Sequence, residues 1–211
     1  MGIPLKTMMD KVGITEKMVT DRVSQGKFRV TTPVFTSSYA NVFEPRETPS
    51  GDMKYSVSML FPKSGTDFKQ MVLVACAAAA QKFGNSSKWP RALKSPFRDG
   101  DEESDEKIYH GCIFVGCGNK NRPGVVDRQM GPITSDEDFY SGCKARASIS
   151  FFGYDKGGNK GVGTGLNNVL VWEKGDRLDG RVDAIDEFKE FAEDAIKEEK
   201  EVAVTGTSDE F

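Results

Sequence analysis

Residues Cys143 to Tyr154 alternate in character at every step. Cys143, Ala145, Ala147, Ile149 and Phe151 fall on one side, and Lys144, Arg146, Ser148, Ser150, Phe152 and Tyr154 on the other. A sustained period of two is the mark of a strand with one buried and one exposed face. The run leads into a hairpin signal at Asp155 to Gly158, after which Lys160 to Trp172 returns as a glycine-rich strand. Such a chain is committed to an antiparallel ribbon, and the exposed face of its first strand carries cations and aromatic rings together.

Other strands read less sharply. Lys54 to Phe61 alternates between Tyr55, Val57, Met59 and Phe61 and the polar set Lys54, Ser56 and Ser58. Lys27 to Ser38 is β-branched and aromatic, with Pro33 marking an edge or a bulge. Lys107 to Cys117 reads as a strand, Asn119 to Gly124 as a turn, and Val125 to Asp127 as a short return. Between these lies one helix, Asp67 to Phe83, with Phe68, Met71, Val72, Ala75, Ala79 and Phe83 at helical spacing and Gly84 at the expected cap. A long connection from Asn85 to Glu106 holds Lys88, Trp89, Arg91, Lys94, Phe97 and Arg98, then an acidic cluster. Loops of that length in compact domains are usually functional or disordered.

The pattern predicts a mainly β fold with α elements: an OB-fold-like barrel of five to six strands with an inserted helix and a C-terminal acidic helix and tail. Residues 1–26 have scattered apolar positions without a clear period and are expected to form an arm or a short helix. Residues 27–182 form the expected body, and 183–211 the acidic helix and a disordered tail.

Charge sharpens that division. The formal net charge is −3, yet residues 183–211 hold eleven Asp and Glu against three Lys, a net of −8, which leaves +5 for the body. A basic body tied to an acidic tail suits a nucleic-acid binder, because the tail can compete with phosphate for one surface. No apolar run reaches the roughly 20 residues of a membrane span, and no secretory signal is read at the N-terminus. An intracellular location is therefore expected, where Cys76, Cys112, Cys117 and Cys143 would be reduced and buried.

Catalytic constellations are weak. Gly161, Gly163 and Gly165 do not match the dinucleotide fingerprint, which opens a helix. They read instead as a tightly curved strand or a close backbone approach. His110, Cys112, Cys117 and Cys143 lack the paired spacing of a structural zinc site, and His110, the one histidine, has no nucleophile motif to serve. The acids from Asp99 to Glu103 fit a solvated loop better than a metal cage. No catalytic activity, metal or cofactor is expected.

Sequence-independent binding of single strands needs cations that follow phosphates and flat rings on which any base can stack. The candidate groove residues are Lys54, Trp89, Arg91, Lys94, Lys120, Arg122, Lys144, Arg146, Phe152 and Tyr154. The alternative is that the rings pack beneath flanking elements and the cations only solubilise. Asp209, Glu210 and Phe211 form the candidate partner-binding tip of the tail.

Several strings also carry a resemblance: Ser38-Tyr39-Ala40-Asn41-Val42-Phe43-Glu44-Pro45, Lys54-Tyr55-Ser56-Val57, Phe97-Arg98-Asp99-Gly100-Asp101, Arg122-Pro123-Gly124-Val125-Val126-Asp127, Phe139-Tyr140-Ser141-Gly142-Cys143, and Gly161 through Leu166-Asn167-Asn168-Val169. In this order, over about residues 28 to 172, they resemble a family of tailed-phage single-stranded DNA-binding proteins first catalogued as a domain of unknown function. The resemblance implies an OB-fold body, a replication or recombination context in the cytoplasm of an infected host cell, and replication or recombination proteins as partners of the tail. A homodimer is left open. The rival reading is a virion structural or assembly protein whose basic face meets an acidic protein partner, and a metal-dependent nuclease is a more distant third.

Overall fold

The computed structural model describes residues 2–178, 180, 187–189 and 191. The chain divides into two compact units, Met1–Asp176 and Arg177–Phe211. In chain order the first contains α1 (Leu5–Lys11), α2 (Glu16–Ser24), β1 (Arg29–Thr31), β2 (Phe35–Glu47), β3 (Met53–Pro62), α3 (Lys69–Phe83), β4 (Arg98–Asp99), α4 (Gly100–Glu103), β5 (Cys112–Asn119), β6 (Gly124–Val126), β7 (Lys144–Lys156) and β8 (Asn159–Glu173).

Five of these strands pair in a closed cycle. β2 pairs with β3, β3 with β5, β5 with β8, β8 with β7, and β7 again with β2. All contacts in the cycle are antiparallel except β5 with β8, which meet in parallel at Gly118 and Gly165. Two side chains strengthen that narrow seam: the Thr164 hydroxyl donates to the Gly116 carbonyl, and Asn119 Nδ2 donates to the Leu166 carbonyl at 2.8 Å. The result is the expected OB-type barrel, with β1 and β6 as short additional edges and β4 laid against β5.

Periodicity explains the interior. Cys143, Ala145, Ala147, Ile149 and Phe151 are all 2% exposed or less, together with Val57, Met59 and Phe61 from β3. Phe61 meets Phe35 and Phe68 edge-on at 5.8 and 5.7 Å. Each fully buried Val, Ile, Met or Phe among them contributes about 1.5–3 kcal/mol.

The helix at Asp67–Phe83 is observed as Lys69–Phe83, closed by Gly84 at φ +83°. Its burial exceeds the one-sided stripe expected from spacing, for every residue from Met71 to Ala79 is buried. A helix apolar on all sides must be covered on all sides. The first 26 residues supply one cover. Rather than an arm, they form α1 and α2, joined through Gly13 at φ +65°, and Leu5, Met8, Met9, Ile14 and Val19 join the main core. The alanines of α3 let these helices approach closely.

Three sequence boundaries shift for local reasons. The strand expected over Lys27–Ser38 is two strands, broken at Thr32-Pro33-Val34 where proline cannot donate to a ladder. Lys107–Tyr109 is a short helical turn, so β5 begins only at Cys112. Val125 and Val126 belong to β6, which runs parallel to β8 instead of returning along β5. The helix expected over Val182–Glu201 lies mostly outside the described residues; Glu187–Lys189 and Phe191 within it are helical, with Phe188 and Phe191 exposed. Val202–Phe211, including Asp209, Glu210 and Phe211, lies wholly outside them.

Candidate nucleic-acid interface

Gly157 and Gly158, at φ +57° and +79°, close a two-residue hairpin loop whose left-handed backbone matches the twist of the flanking strands. That turn fixes the register of the whole ribbon. It sets Tyr154 opposite Gly161, Phe152 opposite Gly163 and Ser150 opposite Gly165. The glycines thus line the outer face across from the aromatic rings. A Cβ at Gly163 would lie 2.7 Å from the Phe152 ring, and one at Gly161 would lie 2.6 Å from the Tyr154 hydroxyl oxygen. Phe152 therefore lies across a glycine floor while 51% of it faces solvent. Gly153 answers a different need: a Cβ there would meet Lys82 and the Ala78 carbonyl of α3 at 2.5 and 2.8 Å, so the ribbon can cross the helix only with glycine at this point.

Lys94 adjoins the same end. Its amide donates to the Lys160 carbonyl and its carbonyl accepts from the Val162 amide, both at 2.9 Å, extending the ribbon by one residue pair. Its ammonium donates to Asn159 Oδ1 at 2.9 Å. Arg91 is exposed and borders a cleft with Lys94. Trp89 is half-buried against the core and donates its indole N–H to the Gly84 carbonyl at 2.9 Å, so it secures the end of α3.

Toward the other end of the ribbon the outer face becomes cationic. Lys144 stands 3.8 Å from Glu173. Arg146 lies 5.5 Å from the Trp172 ring and Arg128 lies 4.6 Å from the same ring. Neither arginine has a hydrogen-bond or ion-pair partner among the described residues. Between the two ends, Arg29 of β1 reaches Asn167 Oδ1 at 3.3 Å and Asn167 Nδ2 donates to Ser150 at 3.0 Å. Six of the ten groove candidates (Arg91, Lys94, Lys144, Arg146, Phe152 and Tyr154) thus lie on or beside one ribbon face.

The other cations cluster elsewhere. Lys120 and Lys54 stand 2.7 and 4.0 Å from Asp52, and the hydrogen bond from Lys120 holds the Asp52 carboxyl below its usual range. Arg122 lies 5.6 Å from the Phe43 ring. These cations are engaged within the protein. Sequence reasoning did not single out Trp172 or Arg128. Counting back from Gly157-Gly158 sets Trp172 opposite Cys143 on the inner face; two register shifts carry it to the outer face near Arg146, and Arg128 arrives from the loop after β6 and leaves no local signal.

Residues 28–201 match the family model of the single-stranded DNA-binding protein of Enterobacter phage Enc34. The chain belongs to that family. Protein p50 of Acyrthosiphon pisum secondary endosymbiont phage 1 is 31% identical over 176 residues, covering 78% of this chain and 93% of its own. Among solved structures, the Enc34 single-stranded DNA-binding protein in complex with single-stranded DNA superposes with a TM-score of 0.64 at 19% identity, over 72% of this chain and 89% of that one. Bacteriophage T7 gp2.5, a single-stranded DNA-binding protein, matches with a TM-score of 0.53 at 16% identity, over 77% and 93%. At these identities the structural matches establish a shared fold. Among the described residues, no group of three or more His, Cys, Asp or Glu is arranged to hold a metal ion, and no helix is long and apolar enough to cross a membrane.

Proposed function

We propose that this chain binds single-stranded DNA without sequence preference, and that the outer face of β7 and β8 is the contact surface. The observation that carries this reading is the exposed Phe152 ring, laid over Gly163 on the same strand face as the Arg146 guanidinium, which has no ion-pair partner among the described residues. A base stacks on the open side of the ring irrespective of its identity, contributing about 1–3 kcal/mol. Phosphates on either side are met by Arg146, Lys144, Lys94 and Arg91. Tyr154 extends the stacking floor. Family membership supports the same reading, and the Enc34 relative is described in complex with single-stranded DNA. The surface binds rather than transforms its ligand, and it needs no cofactor.

Replication or recombination in the cytoplasm of the infected cell is the context this activity serves. The tail, net −8 against a body of +5, competes with DNA for the cationic face, and Asp209, Glu210 and Phe211 offer an apolar anchor with two side-chain carboxylates to a replication partner. Tethering gives such a segment an effective concentration in the millimolar range.

The test is a titration of labelled oligo-dT and of duplex of equal length at two salt concentrations. Affinity for oligo-dT should fall with a logarithmic slope of about −0.7 per phosphate contacted, and duplex should bind far more weakly. Equal affinity for both, or a flat salt response, contradicts the reading and favours an acidic protein partner.

A further inference from the structure

We infer that Arg128, Trp172 and Arg146 form a phosphate clamp at the end of the ribbon opposite Phe152, a second anchoring station for the strand. This rests on the single-strand-binding reading above and extends it to residues outside the ten groove candidates.

Three observations carry it. The first is the stack itself: guanidinium carbons 4.6 and 5.5 Å from one indole ring, contributed by the β6 loop and by β7. Arginine is planar and weakly hydrated, so an aromatic face can hold it in a fixed plane while its N–H groups stay directed at an oxyanion. The second is that both guanidiniums are unengaged among the described residues, and that Arg146 Nε is buried there without an acceptor. A buried charge-bearing donor left open is costly unless something satisfies it.

The third is that the carboxylates bordering the adjoining cleft of about 350 Å³ already have partners. Asp127 Oδ1 accepts from the Gln129 and Gly131 amides, both at 2.8 Å, which shapes the loop that presents Arg128. Asp138 is held by Lys174 at 3.1 Å and Glu173 faces Lys144 at 3.8 Å. None of these acids is paired with either arginine among the described residues. A phosphodiester supplies what they lack: two anionic oxygens matched to the bidentate fork. Arg146 and Phe152 are six residues apart on one strand, about 20 Å at 3.3 Å per residue. A single strand running along the ribbon would therefore be stacked at one end and clamped at the other. Trp172 is a positioning residue in this scheme.

The experiment uses the full chain and oligo-dT at several salt concentrations, with thermal unfolding recorded for every variant. Arg128→Ala should weaken binding several-fold and make the salt slope shallower by about 0.7, the value of one phosphate. Arg128→Lys should keep the slope and still lose affinity, because charge survives without the planar fork. Trp172→Ala should weaken binding as Arg128→Ala does, and Trp172→Phe should restore most of it. Trp89→Phe leaves Trp172 as the one tryptophan of the chain, and its emission should respond to oligo-dT in that variant. Arg128→Ala that binds like the unaltered chain at every salt, or emission that ignores oligo-dT, overturns the clamp while leaving single-strand binding intact. Failure of the unaltered chain to bind oligo-dT would overturn the functional reading and the clamp together.

Discussion

Two regions of the barrel surface carry similar cations and differ in what those cations are free to do. Around Asp52, Lys54 and Lys120 share one carboxylate, and Arg122 lies over Phe43. On the β7–β8 ribbon, Arg146 and Arg128 rest on an indole with no acid among the described residues to meet them. A charge count treats both regions alike. The difference shows that available charge is a tertiary property: a lysine donating to an aspartate must share or give up that contact to meet a phosphate, whereas an arginine without an acid partner need not.

The largest effect that would sharpen this contrast is on the ribbon. Phe152→Ala combined with Arg146→Ala should weaken oligo-dT binding by roughly ten- to a hundred-fold, the scale of a lost stack plus a phosphate contact. Lys54→Ala with Lys120→Ala should change it about two-fold or less, and comparable losses for the two pairs would erase the distinction. Gly163→Val comes next. Its side chain must displace the Phe152 ring, so binding should fall about as far as in Phe152→Ala, with little additional loss when the two are combined. Additive losses would show that the glycine floor acts independently of the ring.

A smaller effect should come from Asp52→Asn, which releases Lys120 and Lys54. Salt dependence should steepen slightly and affinity rise, the reverse of what removing a stabilising residue would do. Asp52 also sets a pH window of its own. Its carboxyl is depressed by Lys120, so the stability it adds is present above the ordinary value of 3.8 and lost as pH falls through the lowered one. The stability difference between Asp52→Asn and the unaltered chain should therefore be present above that range and close as pH falls through it. The smallest expected signal is chemical. Burial pushes the Cys76 and Cys117 thiols up to about 12, so a thiol reagent at neutral pH should leave both unlabelled until the chain unfolds.

How far these regions were legible in the sequence follows from how local their determinants are. The hairpin end of the ribbon, from the turn back to Ile149 and Leu166, could be read almost residue by residue, because a two-residue periodicity and a Gly-Gly turn are both local; the two register shifts beyond it could not. The role of Gly161, Gly163 and Gly165 was half legible: close approach could be expected, but the Phe152 and Tyr154 rings as the approaching groups needed the register. The first 26 residues hid two core helices, since each is only two or three turns long and the apolar period restarts at Gly13. The Asp52 pairing joins residues 68 positions apart, and Arg128 meets Trp172 from a separate loop. No window of sequence contains either contact.

On the ribbon face, stacking and charge should be separable contributions to binding. The direct measurement is the salt dependence of oligo-dT binding for Arg146→Ala and Phe152→Ala beside the unaltered chain. Both variants should bind more weakly, but only Arg146→Ala should show a slope shallower by about 0.7, with Phe152→Ala running parallel to the unaltered chain. If Phe152→Ala lowers the melting temperature and leaves the folded protein binding normally, or if neither variant alters affinity, the face of β7 and β8 is not where the strand lies.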